Sequence, residues 1–225
     1  KIKVLLLEKL DKSVKDLFEK EGYDVETHDG SLSEDNLIDK IKKVSILGIR
    51  SKTHISKKVI KSSNRLLSIG AFCIGTNQIN LNACAKAGIT VFNAPYSNTR
   101  SVVEIVIGQI INLLRSVIEK SNDLHDGIWR KDSINSYEIR NKTIGIIGYG
   151  NIGSQLSVIC ESLGMKVIYY DIVDKLSIGN AKKHDSLDSI LKESDIVSLH
   201  VDGREDNTNL IGEREINLMK EKSIL

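Results

Sequence analysis

The stretch from Thr143 to Asp171 narrows the fold more than any other part of the chain. Thr143-Ile144-Gly145-Ile146-Ile147 is apolar and β-branched, as a central parallel strand must be, and it runs directly into Gly148-Tyr149-Gly150-Asn151-Ile152-Gly153. A G-x-G-x-x-G string between a strand and a helix gives each glycine its own task. Gly148 makes the tight turn, Gly150 lets backbone approach a pyrophosphate, and Gly153 lets the helix lie close on the sheet. The helix is expected over residues 155–163, stopped by Gly164, and the next strand delivers the carboxylate of Asp171 at its tip, about 20 residues on. N–H groups at the helix N-terminus face an anion. Asp171 can accept from ribose hydroxyls and repels a 2′-phosphate, and neither Ile172 nor Val173 supplies an offsetting cation. The pattern predicts a dinucleotide site that prefers NAD to NADP.

Upstream, strand signals at residues 1–7, 23–27, 44–49, 66–69 and 89–92 alternate with helical patterns. Val14, Leu17 and Phe18 mark one face of a helix over 11–21, Ser33 caps a second, a short third lies near 57–61, and Gly88 closes a fourth over 80–87. Such alternation makes a doubly wound sheet. No glycine string follows the first strand, so this half is not a second dinucleotide domain. Residues 95–100 hold the single proline, Pro95, and read as a hinge between domains 1–94 and 101–225. Asn98 or Thr99 caps one long helix over 101–123, whose stripe of Val103, Val106, Ile107, Ile110, Ile111, Leu114 and Val117 is broad enough to face another subunit. Trp129 is either a local cap on that helix or an interface anchor. After Asp171 come a helix over 186–192, a strand over 196–200 and a helix near 213–219. The expected class is α/β with two doubly wound domains, a flavodoxin-like substrate domain followed by an incomplete Rossmann domain. Both ends of the chain are expected to be cut.

Composition limits the partners. A net charge of +2 from 32 basic and 30 acidic residues leaves no basic block, so nucleic acid and membrane surfaces have no electrostatic attraction to it. Cys73, Cys84 and Cys160 make neither a CxxC pair nor an even disulfide set, which suits a reducing cytoplasm. The most apolar run, residues 102–114, is interrupted by Glu104, Gln109 and Asn112. Neither metal-ligand spacing nor a nucleophile elbow is found.

Two stretches at strand ends of the first half can hold an anion. Arg50-Ser51 offers a guanidinium for a two-pronged hydrogen bond, against the plainer reading of a surface arginine. Residues 70–77, Gly-Ala-Phe-Cys-Ile-Gly-Thr-Asn, can turn several N–H groups inward as a nest, against the plainer reading of a crossover loop. Cys73 would line that loop rather than act as a nucleophile. His200, at a strand tip, either sits beside a cofactor or is a hydrogen-bonded strand end.

The strings FCIGTNQINLNACAKAGITVFNAPYSNTRSVVEIVIGQIINLLR, GIIGYGNIGSQL, ESLGMKVIYYD and DIVSLHV resemble the D-2-hydroxyacid dehydrogenases, within them the branch that acts on 3-phosphoglycerate. The resemblance implies NAD-dependent oxidation of that acid, the entry step of serine synthesis, with the site in the cleft between two domains, while the broad stripe of the 101–123 helix, with the Trp129 region, predicts a homo-oligomer. It implies cofactor contacts at Asn151, Ile152, Asp171, His200 and Val201, and a substrate shell of Arg50, Ser51, Cys73, Ile74, Gly75 and Asn98. It assigns Glu104 a structural role. Asp202 stands where the family usually has proline, so a more mobile loop is expected there, and Glu221 replaces another frequent proline. The family's catalytic arginine, glutamate and histidine fall beyond Ser223, so the resemblance places no catalytic residue within the chain. Another 2-hydroxyacid substrate, or a non-catalytic NAD sensor of the same fold, are the alternatives.

Overall fold

The computed structural model describes residues 1–225, apart from the side chain of Glu205. The chain divides into two compact units, Lys1–Ser97 and Asn98–Leu225.

The first unit alternates β1 (Lys3–Leu7), α1 (Lys12–Lys20), β2 (Asp24–His28), α2 (Glu34–Ile41), β3 (Ile46–Ile49), α3 (Lys57–Ser62), β4 (Ser68–Ala71), α4 (Leu81–Lys86) and β5 (Thr90–Asn93). Its five strands are parallel in the order β2-β1-β3-β4-β5. That is the flavodoxin-like order, which reverses direction between β1 and β3. Leu5, Leu7, Leu47, Ile49 and Ile69 form its core with Leu37, Ile41 and Val59 from the covering helices. Both faces of β1 and β3 are covered, hence their nearly unbroken apolar sequences. Side chains start the helices where their types suggest: Asp11, Ser33, Ser56 and Asn80 each accept an N–H of the first turn.

Three local expectations change. Helix α1 buries no residue, and Leu17 stays 64% exposed while Val14 and Phe18 are half-buried. Strand β4 runs through Gly70 and Ala71, which the sequence had suggested for a loop, because β3 and β5 continue beside them and pair with both. No residue from 70 to 77 has a positive φ, so the alternation of right- and left-handed backbone that builds a nest is absent from this described segment.

The second unit contains α5 (Thr99–Arg115), α6 (Val117–His125), β6 (Thr143–Ile147), α7 (Asn151–Ser162), β7 (Lys166–Tyr170), β8 (Lys182–Lys183), α8 (Leu187–Glu193), β9 (Ile196–Leu199) and α9 (Glu213–Leu218). Its parallel sheet has the order β8-β7-β6-β9, the first four positions of a Rossmann sheet, and Ile224 makes a parallel bridge to Ile196 on the far side of β9.

The single helix expected over 101–123 is two, bent by 64° at Ser116, whose φ of 48° is left-handed. The returning segment packs against the break. Tyr137 N–H takes the Leu114 carbonyl at 2.7 Å and Ser136 Oγ takes that of Arg115, so these carbonyls serve partners outside the helix. Of the expected stripe, Val103 and Ile110 are buried, Val106, Ile107 and Leu114 pack at the edge of the core, and Ile111 and Val117 are exposed. Asn98 stands at the N-cap position of α5, yet its side chain makes no capping bond. Trp129 is 78% exposed, which removes its reading as a local cap. Helix α7 begins at Asn151, four residues earlier than the apolar pattern suggested, because the glycine loop itself forms its first turn. No single helix among the described residues is long and apolar enough to cross a membrane.

Candidate functional site

The glycine turn joins β6 to α7, and its three glycines answer to three different neighbours. Gly148 has a φ of +91°, and a Cβ there would lie 2.5 Å from the carbonyl oxygen of His200. A Cβ on Gly153 would lie 2.2 Å from the Gly148 carbonyl oxygen. At Gly150 a Cβ would meet nothing within 4 Å. Its φ of −86° is open to any residue. No protein contact therefore calls for glycine at Gly150, and the room it leaves is what a phosphate group needs. Gly150 places no capping side chain over α7. The leading N–H groups, from Asn151 and Ile152, have no intrahelical acceptor and stand at the positive end of the helix dipole. Asn151 is exposed and Ile152 half-buried.

Asp171 follows β7 and closes the other side of the turn. Its Oδ2 accepts the Tyr149 N–H at 2.7 Å and its Oδ1 accepts the Val173 N–H at 2.9 Å. The carboxylate thus fixes the glycine loop and its own turn, and its remaining lone pairs can meet ribose hydroxyls. His200 donates its backbone N–H to Ile147 at 2.7 Å, and its Nε2 lies 2.9 Å from Ser198 Oγ. Burial holds its imidazole below the ordinary histidine pKa, so it is neutral at pH 7. Val201 Cγ1 lies over Gly148, 3.2 Å from the position of an added Cβ. These groups fit a dinucleotide: N–H donors for the diphosphate, a carboxylate for the ribose and a neutral wall beside the turn.

A support layer beneath the turn escaped the sequence reading. Tyr149, 3% exposed, stacks on Tyr169 with ring centroids 3.8 Å apart, and its hydroxyl shares a 2.7 Å hydrogen bond with Ser157. The Tyr169 hydroxyl donates to the Lys175 carbonyl at 2.7 Å, and the Ile178 N–H reaches the Tyr149 hydroxyl. This ties residues 175–178 to the turn. Glu161 accepts the Asn180 N–H at 3.1 Å and faces Gly179, whose φ is +63°. A tyrosine inside a glycine turn and another inside an apolar strand were the only signal of this layer. Asp202, where a more mobile loop was expected, accepts from Arg204 Nε at 2.7 Å, and its carbonyl accepts from Asn207 Nδ2 at 2.9 Å.

In the first unit, Arg50 and Ser51 follow β3 with both residues exposed, at the reversal of strand order where open α/β sheets bind ligands. The Arg50 carbonyl accepts Gln78 Nε2 at 2.9 Å, and the same amide nitrogen lies 3.4 Å from Cys73 Sγ. Gln78, 5% exposed, therefore brings the two stretches expected to hold an anion against one side chain. Ile74 and Gly75 continue from Cys73, with the Ile74 carbonyl held by Asn93 Nδ2 at 2.8 Å and the Gly75 carbonyl facing Cys73 Sγ at 3.2 Å. Glu8, at the end of β1, accepts the N–H groups of Lys52 and Thr53. Neither Gln78 nor Glu8 was singled out by pattern. Asn98 belongs to the second unit, and Glu104 forms an exposed pair with Arg100 at 2.7 Å. All three cysteines are free, and burial pushes the Cys160 thiol up to about 12.

Known proteins resemble the chain along its whole length. Residues 4–156 match the model of the D-isomer specific 2-hydroxyacid dehydrogenase catalytic domain, and residues 107–225 match that of the NAD binding domain. D-3-phosphoglycerate dehydrogenase of Dictyostelium discoideum is 49% identical over 225 residues, covering 100% of this chain and 55% of the relative. The enzyme of that name from Escherichia coli K12 is 47% identical over 226 residues, with the same coverage. The chain thus spans about half the length of these curated relatives. D-lactate dehydrogenase from Aquifex aeolicus, solved with NAD and lactic acid, superposes with a TM-score of 0.85 at 26% identity, covering 96% of this chain and 66% of that one.

Proposed function

The chain belongs to the D-isomer specific 2-hydroxyacid dehydrogenase family, and from that premise we propose that the full-length protein oxidises 3-phospho-D-glycerate to 3-phosphohydroxypyruvate with NAD, opening L-serine synthesis. The observation that carries this reading is the 47–49% identity, along the whole chain, to relatives named for that activity. NAD, when bound, accepts the hydride from the hydroxyl-bearing carbon. The chain's own residues hold and orient: Gly148, Gly150, Asn151, Ile152 and Gly153 take the diphosphate, Asp171 the ribose, and His200 and Val201 wall the cofactor. Arg50, Ser51, Cys73, Ile74, Gly75 and Asn98 form the substrate shell, with Arg50 on the anionic groups. Hydride loss needs a base for the hydroxyl proton. In this reading that base, a histidine oriented by glutamate, and the arginine that polarises the carbonyl follow Leu225.

The test is NADH production from 3-phosphoglycerate by the full-length protein and by the 225-residue chain alone. Turnover by the first and none by the second is expected; turnover by the short chain would refute the placement of the base. Arg50→Ala should raise KM for 3-phosphoglycerate at least tenfold, about 1.5–3 kcal/mol per lost charge-assisted bond, and should raise it less for an unphosphorylated acid.

Self-association through the α5–α6 region and Trp129 belongs to the same reading. Ile118, Leu124, Ile128 and Trp129 are exposed in that region, apolar side chains that a partner could cover. Light scattering of the full-length protein should report an oligomer, and Trp129→Ala should shift it toward monomer; a wild-type monomer rules the interface out. Three free thiols suit a reducing compartment, and a cytosolic location completes the reading.

A further inference from the structure

Strand β1 is followed by two successive left-handed residues, Glu8 with φ 64° and Lys9 with φ 50°, neither of them glycine. Such backbone is costly outside glycine and persists only where the surroundings hold it in place. What the turn accomplishes is visible at the Glu8 carboxylate. Although only 7% exposed, it meets two backbone donors at once, Oε2 accepting Lys52 N–H at 3.0 Å and Oε1 accepting Thr53 N–H at 2.9 Å. The Glu8 N–H is itself fixed on the Gly30 carbonyl at 3.1 Å. Burial alone would raise the pKa of this carboxyl, but the converging donors outweigh it and hold Glu8 below the ordinary glutamate range, hence charged.

Lys52 and Thr53 directly follow Arg50 and Ser51, and Gln78 holds the Arg50 carbonyl from the other side. The main chain is thus gripped at the Arg50 carbonyl and again directly after Ser51. The Glu8 grip lies at the β1–β3 reversal, and the Gln78 grip comes from the segment after β4. Here each N–H meets its own oxygen, Oε2 for Lys52 and Oε1 for Thr53, and a carboxamide in this arrangement would set its NH₂ against one of the donors.

We propose that Glu8 is a positioning residue for substrate binding, its buried carboxylate clamping the 50–53 loop so that Arg50 is presented to the anionic substrate. The inference rests on the reading of Arg50 as a substrate contact. It predicts that Glu8 acts through Arg50 and does not touch the substrate.

The test uses the full-length protein as wild type, E8Q, E8D, R50A and the E8Q/R50A double variant, with thermal midpoints and NAD dissociation constants measured beside the kinetics. Wild-type turnover of 3-phosphoglycerate and of an unphosphorylated 2-hydroxy acid comes first. If only the unphosphorylated acid is turned over, the substrate reading fails, while the coupling between Glu8 and Arg50 is still read on that acid. For E8Q, KM for the acid should rise roughly tenfold while NAD affinity stays within about twofold, as the loss of one charge-assisted contact implies. In the R50A background the same change should have under about twofold effect. E8D, which keeps two oxygens on a shorter stem, should recover part of the lost affinity. An E8Q effect undiminished in R50A, or a lower thermal midpoint with unchanged KM, would overturn the proposal. Where E8Q does not fold, E8D takes its place in the cycle under the same criteria.

Discussion

Gly153→Ala is expected to lower the stability of the second unit by about 3 kcal/mol, roughly a 10 °C fall in that unit's thermal midpoint, because an added methyl has nowhere to go. Its Cβ would lie 2.2 Å from the Gly148 carbonyl oxygen and 3.0 Å from Ile146 Cγ2, and the nearer atom is backbone in the tight turn. Gly150→Ala should behave oppositely. With nothing within 4 Å of its Cβ and φ already at −86°, the variant should melt with the wild type and yet bind NAD at least tenfold more weakly. Calorimetric melting and NAD titration on the two variants separate a glycine required by the fold from a glycine required by the ligand. Equal NAD affinity of Gly150→Ala and wild type would remove Gly150 from the diphosphate site.

Asp171→Ala is the second large effect. The carboxylate serves as acceptor for the Tyr149 N–H and the Val173 N–H, so removing it leaves two backbone N–H groups without their partner and withdraws the ribose contact together. Hydrogen bonds to charged groups contribute about 1.5–3 kcal/mol each, which puts the expected loss in NAD affinity near a hundredfold. NADP should lose less, because the carboxylate that repels its 2′-phosphate has gone, and the NADP-to-NAD affinity ratio should rise. Asp171→Asn, which keeps one acceptor, should fall between. A ratio that does not move would assign Asp171 to loop support alone.

These effects were open to sequence reasoning to different degrees. The glycine spacing, the strand before it and Asp171 after β7 were all legible, because a turn, a helix start and a strand tip are set by residues a few positions apart. The same holds for the alternation of elements in both units and for the helix start at Ser33, where the capping side chain sits next to the N–H it accepts. Arg50-Ser51 was legible only as one of two readings, since an arginine after a strand is as compatible with plain solvent exposure as with a ligand. Residues 70–77 were misjudged for a related reason: Gly70 looks like a loop residue until β3 and β5 pair with it on both sides.

Local chemistry in the chain thus determined the α/β class, the order of elements, the dinucleotide turn and its acidic partner. Tertiary structure alone decided the break at Ser116, the tyrosine stack beneath the turn and the clamps of Glu8 and Gln78 on the Arg50 loop. The physical reason is the reach of the interactions. A carboxylate on Glu8 finds its donors 44 and 45 residues away, and Gln78 finds the Arg50 carbonyl 28 residues away. Such pairs carry no periodicity and no spacing of their own, and they exist only once parallel strands have brought their carboxyl ends together.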